Sequence, residues 1–132
     1  MRNVTHSSFL YLLKMLTVYG IPNCDTVKKT LVWLKDNGIA YHFHDYKKEG
    51  ISAEKLEEWL TQVPWEKLLN KASTTFKELS PEAKSAIVDK QSAMQLMLEK
   101  NSAIKRPVVE DGKVLAVGFK PDQYKDIFLL GA

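Results

Sequence analysis

Apolar positions along this chain follow two different spacings, and the change from one to the other predicts an order of elements. Residues 15–19 form a short apolar run that ends at the breakers Gly20, Pro22 and Asn23, which predicts a buried strand. Val27, Leu31 and Leu34 then fall at i, i+4 and i+7. Lys28, Lys29 and Lys35 lie off that stripe and Asn37-Gly38 supplies a stop, so the segment reads as a helix. Over residues 39–46, Ile39, Tyr41, Phe43 and Asp45 alternate with Ala40, His42, His44 and Tyr46, the period of a second strand. Strand, helix and strand in about 30 residues make a βαβ unit, whose crossover is right-handed.

The middle of the chain is helical. Ser52 stands where it can cap a helix carrying Leu56, Trp59 and Leu60, and Ser80-Pro81 places a cap and a first-turn proline before Ala83, Ile87 and Val88. Ser92 and Gln95 are spaced as a capping box ahead of Met94, Met97 and Leu98. Residues 65–79 read as a polar connector with one apolar knot at Leu68-Leu69. After Arg106-Pro107, Val108 and Val109 face Val114, Leu115 and Val117 across Asp111-Gly112, the two-residue turn favoured by type I′ hairpins. Pro121 opens a last helix with Tyr124, Ile127 and Phe128 on one face. The fold class is therefore α/β, a sandwich around a small mixed sheet. Residues 1–14 show no period and precede Met15, so a loose extension is expected there, followed by one domain over 15–132 with a helical insertion at about 51–102.

Composition narrows the function classes. Of 132 residues, 45% are apolar and 27% charged, which suits a globular domain. The 19 basic and 16 acidic residues leave a net charge of +3 spread along the chain, so no nucleic-acid footprint stands out. A single cysteine forms no intramolecular disulfide and favours a reducing, cytoplasmic compartment. No apolar stretch nears the roughly 20 residues that span a bilayer, and residues 9–13 are cut short by Lys14. His42 and His44 lack a third ligand at metal-site spacing, so no metal is expected and a polar strand face is the simpler reading. Trp33, Trp59, Trp65, Met94 and Met97 read as packing, Lys28, Lys29, Lys35, Lys47 and Lys48 as a solvated surface, and Ser73-Thr74-Thr75 as a capped turn.

Two places carry chemistry. Cys24 lies after a strand and before a helix, where unpaired backbone N–H groups and the macrodipole favour an anion. Cysteines in such surroundings ionise at about pH 3.5–7.5 against about 8.5 for a free thiol. Asn23, Asp25 and Lys28 give it polar company, which argues against simple packing. Arg106-Pro107 precedes a strand, and X-Pro is the bond most readily held cis. By composition alone, Arg106 is a solvated charge and Pro107 a helix stop.

The segment Tyr19-Gly-Ile-Pro-Asn-Cys24, the connector from Leu68 to Leu79, Arg106-Pro107 and Val117-Gly-Phe-Lys-Pro121 together resemble the arsenate reductase-related, ArsC-like family. That family has a thioredoxin-like fold with a helical insertion and includes the Spx-type transcription regulators. The resemblance implies that Cys24 is the nucleophile, that Arg106 holds an oxyanion and steadies the thiolate, and that Pro107 is cis with backbone beside it able to pair with the peptide of glutathione. Two further arginines of the glutathione-dependent arsenate reductases fall near Asn70 and on Lys120. Lys71 and Lys120 keep charge there but lack the planar fork of arginine. The Spx-type switch needs Cys-x-x-Cys, and this chain has Cys24-Asp25-Thr26-Val27.

The reading is a glutathione-dependent monothiol reductase, in which Cys24 and Arg106 are catalytic and Asn23, Asp25, Thr26, Lys28, Lys71, Pro107 and Lys120 contact substrate. Its expected partners are glutathione or a glutaredoxin-like reductant and a small-molecule or protein disulfide. A monomer with no bound cofactor is expected. Arsenate reduction and an Spx-like regulator that binds RNA polymerase or another protein stand as alternatives.

Overall fold

The computed structural model describes residues 16–130, so the expected extension at 1–14 and the strand residue Met15 lie outside the described residues. The first apolar run becomes β1 (Leu16–Gly20), which pairs on both edges. It runs parallel to β2 (Tyr41–Asp45), with Gly20 opposite Asp45, and antiparallel to β3 (Val108–Glu110), with Tyr19 opposite Val108. β4 (Val114–Val117) completes the sheet in the order β2-β1-β3-β4. The crossover helix α1 (Asp25–Asp36) buries Val27 and Leu34 as their spacing requires, together with Thr30, whose hydroxyl donates to Thr26 O at 2.8 Å.

Side chains alternate across the sheet and divide the core in two. Val18 and Val109 pack with Leu34, Ala116 and Tyr124 on the face covered by α1 and by α8 (Pro121–Lys125). Tyr19 and Val108 face the other way, into a cluster with Tyr46, Leu56, Trp59, Leu69, Met97 and Ile104. That second face is covered by the helical middle: α2 (Tyr46–Glu49), α3 (Ala53–Leu60), α4 (Trp65–Leu68), α5 (Thr74–Lys77), α6 (Pro81–Ser85) and α7 (Lys90–Glu99). A 3₁₀ turn, Asn101–Ala103, then leads toward β3.

Several local expectations are corrected. The second strand has five residues where eight were expected, because Ile39 and Ala40 precede it and Tyr46 leaves it to begin α2 and turns into the core. Asp89, rather than Ser92, caps α7. Ser92 is the N3 partner whose Oγ accepts from the Asp89 N–H, so Gln95 is not part of the box. The hairpin turns over three residues, since Glu110 pairs with Val114, and Gly112 takes a φ of 99° that a side chain rarely adopts. Ile87 and Val88 fall beyond α6, and Val88 is 69% exposed. The connector contains two short helical turns, α4 and α5. The last helix widens into a π-type turn over Asp126–Leu130. The Ser52 and Ser73 caps form as expected, on Lys55 N at 3.0 Å and Phe76 N at 3.1 Å.

One buried group has no counterpart in the sequence reading. Glu110 is 5% exposed, yet its carboxylate accepts from Tyr19 Oη at 2.7 Å, Trp59 Nε1 at 3.0 Å and Lys55 Nζ at 3.0 Å. Burial pushes the Glu110 carboxyl up, and the three donors outweigh it and hold the group below its ordinary range. Burial and the same carboxylate raise the Tyr19 phenol well above its usual value. Because Trp59 and Lys55 belong to α3 while Tyr19 and Glu110 belong to the sheet, the network ties the helical middle to the strands.

Candidate active site

Gly20 ends β1 and lets α1 come close. A Cβ at position 20 would lie 2.8 Å from Val27 Cγ2, and Val27 is fully buried with no room to move aside. The chain therefore passes from β1 through Ile21, Pro22 and Asn23 into α1 within one short loop, and Cys24 lands at the N-cap. Its backbone is extended, at φ −146° and ψ 121°, its carbonyl accepts from Lys28 N at 2.9 Å, and its side chain caps nothing. First-turn N–H groups of a 12-residue helix are thus left without a side-chain acceptor beside a partly exposed sulfur. Asn23, Asp25, Thr26 and Lys28 are all exposed around it.

The register of the sheet brings the second half of the site to the same end. Tyr19 lies opposite Val108, so the loop leaving β1 and the segment entering β3, Arg106-Pro107, meet at one edge of the fold. The Arg106-Pro107 bond is cis. Pro107 is buried, and its carbonyl accepts from Gly118 N at 2.8 Å. Lys105 N donates to Leu68 O at 2.8 Å, while the intervening Arg106 N–H and C=O have no backbone partner among the described residues. Arg106 is half-buried and its Nη1 donates to Ser102 O at 2.8 Å. The 3₁₀ turn that carries this carbonyl is held in turn by Asn70 N, which donates to Ala103 O at 2.7 Å, and by a hydroxyl pair between Thr75 and Ser102.

The two lysines lie on segments bonded to the backbone on either side of Arg106. Lys71 follows Asn70 on the segment joined to the 3₁₀ turn, and its ammonium lies 6.0 Å from the Trp65 ring centre. Lys120 is the exposed N-cap of α8, two residues past the glycine bonded to Pro107. Neither forms an ion pair among the described residues. His44 departs from the expected polar face: its ring stacks 4.6 Å from that of Tyr19, and its Nε2 lies 2.6 Å from Gly50 O. Trp59 is fully buried and Trp33 packs edge-on against Tyr124, so the tryptophans serve packing. Among the described residues no cluster of three His, Cys, Asp or Glu side chains could hold a metal, and no helix is long and apolar enough to cross a membrane.

Tyr46 belongs to this end of the molecule and was not singled out by sequence. Its place in an alternating strand pattern concealed that the chain turns there, and only its position directly after the C-terminal end of β2, beside Gly20, reveals it.

Comparisons with known proteins agree with this arrangement. A solved arsenate reductase-related protein from Brucella melitensis is 56% identical, covers 87% of this chain and 95% of its own, and superposes with a TM-score of 0.70. An uncharacterized protein of Haemophilus influenzae is 44% identical over 115 residues, 86% of this chain and 99% of its own length. The regulatory protein MgsR of Bacillus subtilis is 30% identical over 112 residues, 83% of this chain and 87% of its own. The four-stranded mixed sheet with its flanking helices is thus that of a thioredoxin-like fold. With the ArsC family model matching residues 19–127, the chain belongs to the ArsC family.

Proposed function

We propose that the protein is a glutathione-dependent monothiol reductase in which Cys24 is the nucleophile. The observation that carries this reading is the partly exposed Cys24 sulfur at an N-cap that no side chain occupies. The Cys24 thiolate attacks one sulfur of a glutathione mixed disulfide, the S–S bond breaks, and the substrate leaves as a thiolate that takes up a proton. A second glutathione, as thiolate, then attacks the Cys24–glutathione disulfide, releasing oxidised glutathione and regenerating Cys24. Over the cycle the substrate sulfur is reduced to a thiol and the incoming glutathione sulfur is oxidised in its place, while the glutathione sulfur of the mixed disulfide stays at the disulfide level throughout. Because the chain has one cysteine, the resolving thiol comes from outside.

Arg106 supplies positive charge for the departing thiolate, and its uncommitted backbone N–H and C=O suit the peptide of glutathione, as an added strand would use them. Asn23, Asp25, Thr26 and Lys28 line the approach to the sulfur, and Lys71 and Lys120 offer charge for carboxylates. A cytoplasmic monomer is the setting this chemistry fits. Arsenate reduction is the second enzymatic reading, favoured by the Brucella melitensis relative. It ranks lower because lysine at 71 and 120 offers no bidentate fork to an oxyanion. The likeness to MgsR favours a third reading, a regulator that binds a protein partner such as RNA polymerase without turnover.

Turnover of a glutathione mixed disulfide and of arsenate, each with glutathione as reductant, separates the three. Disulfide turnover that falls at least about 10³-fold in Cys24→Ser is expected. Turnover of arsenate alone would reverse the ranking of the two enzymatic readings, and inactivity toward both would favour the regulator.

A further inference from the structure

Two side-chain atoms in the described residues are buried without any partner, and both belong to residues held by the 3₁₀ turn Asn101–Ala103. Tyr46 Oη is one and Arg106 Nε is the other. Tyr46 is 1% exposed, so its hydroxyl cannot turn to solvent. An unmatched buried donor or acceptor is costly, and folded proteins keep few of them. Two such atoms together need a reason.

The same 3₁₀ turn holds both residues. Asn101 Nδ2 donates to Tyr46 O at 3.4 Å, and Ser102 O accepts from Arg106 Nη1 at 2.8 Å. The charge of Arg106 also acts on the Tyr46 phenol: burial pushes that phenol far up and Arg106 is the one influence that opposes it. Tyr46 follows β2 directly, at the end of the sheet that carries Cys24. A guanidinium has five N–H donors in a fixed plane. One edge of Arg106 is fixed by Ser102, and Nη2 finds no acceptor among the described residues.

We propose that Tyr46 is a positioning residue for Arg106, its hydroxyl taking the Nε–H of the guanidinium directly after a small side-chain shift or through one buried water. With Nε and Nη1 both committed to the fold, the plane of the guanidinium is fixed and Nη2 is the edge left for a departing thiolate or an oxyanion. Tyr46 touches neither substrate nor sulfur and acts through Arg106 alone. The benefit to catalysis rests on the reductase reading above, whereas the bond between the two side chains does not.

Tyr46→Phe is the test, because it removes one oxygen and keeps the ring. The unchanged protein should show the Arg106 Nε–H as a protected resonance in nitrogen-15 NMR spectra. In Tyr46→Phe its exchange with water should quicken at least tenfold and thermal stability should fall modestly, because the Nε–H loses its acceptor. The turnover number with a glutathione mixed disulfide should fall about tenfold with KM changed little, and the effect should vanish in an Arg106→Lys background, since lysine has no Nε–H edge to hold. Equal protection of Nε–H in both proteins, or an undiminished loss in the Arg106→Lys background, would overturn the proposal. If the unchanged protein turns over no disulfide, the reductase reading falls, and Nε–H protection still decides the role of Tyr46.

Discussion

The two polar clusters at either end of β3 are opposites. At Glu110 every buried group is matched: the carboxylate has three donors, and the two of them that are fully enclosed, Tyr19 and Trp59, have no other partner to seek. At Arg106, four positions earlier, Nη2 of the guanidinium and the backbone N–H and C=O are open. A saturated network stabilises the fold and has nothing left to offer a ligand. An unsaturated one lowers stability and keeps donors in reserve, which is what a binding or catalytic site requires. The contrast supports the proposed site at the Arg106 end by an argument independent of the relatives.

The sharpest way to break that contrast is Glu110→Ala. It strands the Tyr19 hydroxyl and the Trp59 N–H in the core and should lower unfolding free energy by about 3 kcal/mol, read from urea denaturation. The rate at which Cys24 is glutathionylated should stay the same, and a matching loss there would show that the two clusters act as one. A smaller effect comes from acid. The carboxyl of Glu110 is held below its ordinary value in the folded chain, so its contribution is complete above about pH 4.3, the unfolded value, and is lost as the pH falls through the folded one. The urea midpoint should therefore decline below about pH 4, and Glu110→Gln should flatten that decline. The smallest effect belongs to Lys55→Met. Its ammonium is partly exposed and shared between Glu110 and Glu58, so a loss under about 1 kcal/mol is expected from the same denaturation curves. A loss near that of Glu110→Ala would place the strength of the network in the charge pair instead of in the two enclosed donors.

What could be read from the sequence divides along a similar line. Local patterns were reliable: Val27 and Leu34 named the buried face of α1, Ser52 and Ser73 named caps, and the breakers at Gly20, Pro22 and Asn23 named the corner where Cys24 sits. Boundaries slipped where two local signals competed. Asp89 displaced Ser92 as the cap because the aspartate carboxylate reaches the N3 amide while the serine hydroxyl reaches back to the cap. The hairpin lengthened because the pairing shifts between Val109 and Glu110. Groups defined by distant partners were illegible. Glu110 looks like an ordinary charge beside a turn, and its three donors lie 51 to 91 positions away in the chain. Tyr46 continues an alternating pattern, and nothing near it shows that the chain bends inward there. Pro107 stood out as a cis-prone bond before a strand, but a role for Arg106 came through the resemblance alone, since its setting is made by the 3₁₀ turn.

The placement of β1 between an early and a late strand has a consequence for the growing chain. β2 follows within a few dozen residues, but β3 arrives nearly 90 residues after the strand it must join. Throughout that interval of synthesis the far edge of β1, which carries Leu16, Val18 and Tyr19, has unpaired amides that any passing strand could capture. The late strand therefore protects the newborn polypeptide from aggregation as soon as it docks, and the same docking delivers Arg106, so exposure to misassembly ends at the moment the proposed site is first assembled.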